Sequence, residues 1–72
     1  MTQNELILDH LRKHGSITQA EAVERFGCYR LGARIWDLKK RGIKIDRSIQ
    51  CGQNRYGERV VYARYTLKEA QN

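Results

Sequence analysis

Seventy-two residues make one small domain, and at that size only about 60% of the unfolded surface is buried, which excludes a large enclosed catalytic cavity. The formal charge of +6 is unevenly placed: residues 1–27 carry three basic and four acidic side chains, residues 28–68 carry eleven basic and three acidic, and Glu69 completes the balance. Segregated positive charge points to a polyanionic partner. Nucleic acid fits better than a membrane surface, because no helix joins a basic face to a broad apolar one.

Taken in chain order, Thr2 and Glu5 have the spacing of a capping box, and Leu6, Ile7, Leu8 and Leu11 follow. Ile7, Leu8 and Leu11 share one face of a helix expected over about 3–13, with Gly15 just beyond its end. Thr18 and Glu21 repeat the box and start a second helix over 19–26, whose apolar side is Ala22, Val23 and Phe26; Gly27 closes it. The third helix is expected over 29–41. Leu31, Ile35 and Leu38 form its core stripe, and Lys39, Lys40 and Arg41 suit the negative end of its dipole. Gly32 costs close to 1 kcal/mol of helix propensity relative to alanine, and propensity gives no reason for it.

Past Gly42 the period shortens. Ile43 and Ile45 alternate with Lys44 and Asp46 as a short strand, Ser48 to Cys51 suit a second, and Arg59 to Leu67 a longer third. Between the last two, GQNRYG places glycines at 52 and 57 around Asn54, as a tight hairpin tip requires. One α+β domain spanning 1–72 results: three helices, then a small antiparallel sheet or basic hairpin over about 43–67. Tyr65 is expected in the core and Trp36 beside the core stripe, in place to support the hairpin. Tyr56, at the tip, is the one aromatic suited to a ligand.

Helix 2, a turn through Gly27, then helix 3 has helix-turn-helix spacing, in which the second helix enters a major groove. On helix 3, Tyr29, Arg30, Ala33 and Arg34 share an outer surface with Asp37. Arginine offers a rigid fork of donors matched to guanine O6 and N7. Tyr29 suits a phosphate or a thymine methyl, and Ala33 leaves room for close approach. An ordinary charge ladder, Arg34 with Asp37 and Asp37 with Arg41, accounts for Arg34 alone, since Arg30 has no carboxylate three or four residues on. In the hairpin, Gln53, Asn54, Arg55 and Arg59 can reach the sugar–phosphate backbone. Lys39, Lys40 and Lys44 act as diffuse phosphate attractors.

Other chemistry is weaker. No apolar run approaches the roughly 18 residues of a membrane span, and nothing at the start reads as an export signal. Cys28 and Cys51 therefore read as reduced thiols in a cytoplasmic protein. His10 and His14 are four apart, but with two single cysteines they do not match a compact zinc site. No nucleophile–histidine pair or paired carboxylates stand at motif spacing. Neither an enzyme nor a cofactor is expected.

The runs GSITQAEAVERFG (15–27), RLGARIWDLKKRGIKI (30–45) and NRYGERVVYARYTL (54–67) resemble the winged helix-turn-helix family, in particular small single-domain members encoded by bacteriophages and prophages. That resemblance implies groove contacts by Tyr29, Arg30, Ala33 and Arg34, and phosphate contacts by Arg55 and Arg59. The expected partner is double-stranded DNA, bound sequence-specifically in transcriptional regulation or another phage-type DNA function, in the nucleoid or host cytoplasm. A two-fold homodimer on DNA is compatible with this width, although no dimerisation helix is legible. Two alternatives compete: a winged module that binds a host or phage DNA-associated protein, and a single-strand binder using Tyr56 and Tyr62.

Overall fold

Two capping boxes start the first two helices of the computed structural model, which describes residues 1–68; the last residues of the expected domain, Glu69 among them, lie outside the described residues. In α1 (Gln3–His14) the Thr2 hydroxyl accepts from the Glu5 amide at 3.2 Å and the Glu5 carboxylate accepts from the Thr2 amide at 2.9 Å. Gly15, in the left-handed region, ends the helix by donating to the Leu11 carbonyl. The second box, Thr18 with Glu21, starts α2 (Gln19–Phe26).

Between these helices lies an element the sequence reading lacks. Ser16–Thr18 forms a short strand, β1, and the sheet has the order β1-β3-β2. Here β2 is Ile45–Gln53 and β3 is Arg59–Leu67. The β1 residues Ser16, Ile17 and Thr18 pair antiparallel with Thr66, Tyr65 and Arg64. Nothing local marks three residues as a strand when their partners lie almost fifty residues downstream. The two short strands expected at 43–46 and 48–51 are one that begins at Ile45, because no glycine or proline interrupts Asp46-Arg47-Ser48 and β3 pairs with the whole run from Ile45↔Leu67 to Gln53↔Arg59.

Helix α3 spans Leu31–Lys40, shorter at its start than the expected 29–41. Arg30 stands at the N-cap with φ −124° and ψ 57°, outside helical geometry, so Tyr29 and Arg30 belong to the turn. Its far end is a Schellman motif: Gly42 donates to the Lys39 carbonyl and Ile43 to that of Leu38. Gly42 supplies the left-handed residue this closure needs.

The core is Ile7, Leu11, Ile17, Ala22, Cys28, Leu31, Ile35, Leu38 and Ile45, with Leu8, Phe26, Ile43, Tyr65 and Leu67 at its margin. All three helices and the root of the sheet contribute. His10 also lies inside, only 6% exposed, edge-on to Phe26 and beside His14, and its Nε2 has no partner. Burial, reinforced by the neighbouring His14, holds its pKa below the ordinary 6.5. A lowered folded-state pKa means that the native protein binds fewer protons than the unfolded chain. The stability it confers is therefore complete above the unfolded value and is lost as pH falls through the folded one. Melting temperature is expected to decline as pH falls below about 6.5, and His10→Gln to flatten that decline in thermal melts.

Candidate nucleic-acid interface

The turn between α2 and α3 is held by one side chain from the first position of α2. Gln19 donates through Nε2 to the Cys28 carbonyl at 2.7 Å and accepts through Oε1 from the Leu31 amide at 3.1 Å. Leu31 is the first helical residue of α3, and no local side chain caps that helix, so Gln19 caps it from α2. Cys28, fully buried, anchors the same turn by donating to the Ala22 carbonyl. Sequence reasoning missed this clamp, because a glutamine twelve residues upstream carries no capping signature. Gln19→Ala is expected to cost about 1–2 kcal/mol, measured by chemical denaturation.

Tyr29 and Arg30 project from this clamped turn into solvent. Arg30 has no ion pair with any described residue, whereas Arg34, one turn on, is half-buried and paired with Asp37 at 3.2 Å. Asp37 also accepts from Asn4 of α1 at 3.5 Å. Arg34 thus leans toward α1, and its Nε and the Asn4 Oδ1 are shielded there without partners. Ala33 is half-buried, and Gly32 faces the Tyr65 hydroxyl: a Cβ built on Gly32 would lie 3.7 Å from it, ordinary contact distance. The close approach at Gly32 is therefore to the sheet, and it leaves room for alanine.

Trp36 lies outside the core, 60% exposed, with the Lys40 ammonium 4.4 Å over its ring. It does not sit under the hairpin as the sequence reading expects. The helical period carries the signal: one residue past Ile35 turns the chain about 100° off the core stripe. Lys39, Lys40 and Lys44 are all exposed along the end of α3 and the strand approach.

In the hairpin, Asn54 is spent on the loop. Its Oδ1 accepts from the Tyr56 and Glu58 amides, and its Nδ2 donates to the Glu58 carboxylate at 3.1 Å. This leaves Arg55 and Tyr56 exposed at the tip, with Gln53 exposed beside them. Arg59 stands across from Gln53 and donates to the Cys51 sulfur at 3.4 Å. Antiparallel partners share a face, so Arg47, Ile49, Cys51 and Gln53 lie on the same side as Tyr65, Ala63, Val61 and Arg59. Near the root that face is core. Farther out, Ile49 (56%) and Val61 (62%) are exposed on it. The opposite face carries Arg64, a cross-brace bound to Gln50 and Ser16 at 2.9 Å each and 3.9 Å from Glu21. Tyr62 lies on that face against Gly52.

Cys28 in the core and Cys51 on the hairpin are far from forming one ligand set with the α1 histidines, and among the described residues no three His, Cys, Asp or Glu side chains could hold a metal ion. No helix among the described residues is long and apolar enough to cross a membrane. A clamped turn, a short helix with an outward surface and an arginine-tipped ribbon can together straddle one strand of a duplex. A family model of the winged helix-turn-helix domain matches residues 2–70. Neither the curated proteins nor the solved structures contain a match to the chain.

Proposed function

The chain belongs to the winged helix-turn-helix family of DNA-binding domains, and on that premise we propose that it binds duplex DNA sequence-specifically, as a transcriptional regulator or a phage-type DNA factor acting at the nucleoid. Helix α3 enters the major groove and the wing, β2–β3, lies on the flanking backbone. The observation that carries this reading is Arg30: a cation at the N-terminus of α3, held outward by the Gln19 clamp, with no carboxylate of its own. It is the base reader. Tyr29 meets a phosphate, Ala33 lets the helix approach, and Arg34 exchanges Asp37 for a DNA anion. Gln53, Arg55 and Arg59 grip the backbone while Asn54 holds the tip in shape. Lys39, Lys40 and Lys44 supply diffuse attraction. One copy covers about half a typical site, so two copies in two-fold arrangement are the working form. Binding, without catalysis, is the activity.

Selection of duplexes from a random pool tests this directly. The wild-type chain enriches one motif, and Arg30→Ala lowers affinity for it by roughly tenfold to a hundredfold, the range of a lost arginine–guanine contact. Failure to enrich any duplex sinks the reading. A second reading, a winged module that docks on a DNA-associated protein, draws on Ile49 and Val61, which stand exposed on one face of the wing. It is favoured if Ile49→Lys abolishes partner binding while duplexes are ignored. Preference for single strands, lost on Tyr56→Ala, supports a third class of ligand.

A further inference from the structure

We propose that Trp36 reads thymine, its indole packing on the 5-methyl group of a thymine in the major groove. The inference rests on the duplex-binding reading above and assigns it a base.

Placement comes first. Trp36 lies four residues after Gly32 and three after Ala33, so it neighbours both on the surface of α3. Helical side chains lean toward the N-terminus, so the indole covers the surface above its own turn. The turn before it holds Gly32 and Ala33, which offer little side chain; outside the helix backbone, a Cβ on Gly32 would have the Tyr65 hydroxyl within 4 Å and no atom of the indole. The residue is 60% exposed, so its ring stands in open space on the surface of α3.

Order comes second. With 60% of the residue exposed, the indole is still positioned, because the Lys40 ammonium sits 4.4 Å over its ring. A cation over the face favours the rotamer that makes this contact. It also brings a positive charge to the rim of an apolar plate, the arrangement that suits an apolar group flanked by phosphates.

Chemistry decides the ligand. Base edges in the major groove present nitrogen and oxygen donors and acceptors and one methyl group, that on C5 of thymine. An indole has a single donor and no strong acceptor. Laid against the other edges it would strip water from polar atoms without replacing their hydrogen bonds. Against a methyl group it loses nothing and removes apolar surface from water.

The test uses the full chain and the duplex that it selects from a random pool. Each thymine in turn is replaced by deoxyuridine, which deletes the methyl and keeps the pairing edge, and dissociation constants are measured by fluorescence anisotropy. At one thymine the replacement weakens wild-type binding by about fourfold, the value of one buried methyl group, while for Trp36→Ala the same replacement costs less than about twofold. Trp36→Leu, which keeps an apolar side chain, retains part of the sensitivity. Circular dichroism confirms that both variants melt as the wild type does, as an exposed position allows. The inference is overturned if the selected motif contains no thymine, if no deoxyuridine duplex binds the wild type more weakly, or if Trp36→Ala shows the same losses as the wild type. In each of those cases duplex binding itself still stands. Absence of any selected duplex overturns the inference together with the reading it rests on.

Discussion

Leu38→Ala is expected to destabilise the domain by about 2–5 kcal/mol, the cost of emptying a fully buried leucine site. For a chain of this length total stability is roughly 4–11 kcal/mol, so the loss is a large share of the whole. Leu38 has no exposed surface and packs with Ile7, Leu11 and Ile35 in the single core, which has no second layer to compensate. The control is Ile49→Ala on the wing. Ile49 is an aliphatic residue of similar size but 56% exposed, and its removal is expected to change stability by less than about 0.5 kcal/mol. Urea denaturation followed by far-ultraviolet circular dichroism compares the two. Trp36 fluorescence is a poor probe, because the indole already faces water in the native state.

Duplex affinity is expected to fall on the order of a thousandfold between about 50 and 200 mM salt, as engagement of six phosphates requires. The structure separates cations that must first leave a carboxylate from those ready to take part. Arg34, Arg64 and Lys68 each lie within 4 Å of a carboxylate, those of Asp37, Glu21 and Asp46 respectively. Arg30, Lys39, Lys40, Lys44, Arg47, Arg55 and Arg59 are exposed and make no such pair with described residues. Arg55→Ala should reduce the slope of log affinity against log salt by about one, with little change in stability. Arg64→Ala should do the opposite, leaving the slope intact while loosening the joint between β1, β2 and α2. A nearly flat salt response points to a protein partner instead.

What could be foreseen from the residues depended on how far each interaction reaches along the chain. Thr2 with Glu5 and Thr18 with Glu21 are three residues apart, and Gly15 and Gly27 follow their helices directly, so the ends of α1 and α2 were legible. The pairing of Ile17 with Tyr65 and the contact of Arg64 with Ser16 join opposite ends of the chain, and β1 went unseen for that reason. The start of α3 was placed early because its cap, Gln19, belongs to another helix and has no preferred spacing to it. In the interface, Arg34 with Asp37 was visible as a ladder of neighbouring charges. Asn54 was read as a backbone contact because a loop amide looks the same whether it faces a ligand or its own turn. The helical period sets Trp36 off the core stripe, but whether the hairpin reaches it depends on residues far along the chain.

The sheet has three strands only where β1 meets residues 64–66. From Ile49 to the tip the backbone pairs β2 with β3 alone, while α3 is bolted to the core by Leu31, Ile35 and Leu38. Thermal motion should therefore grow outward along the ribbon, and backbone amides beyond Ala63 should exchange with solvent well ahead of those at Tyr65 and Leu67. Mechanically, a stiff probe is joined to a compliant arm. The arm can follow backbones of different curvature and groove width while the probe keeps its register, so variation in the sequence flanking a target would be tolerated better than variation beneath the helix.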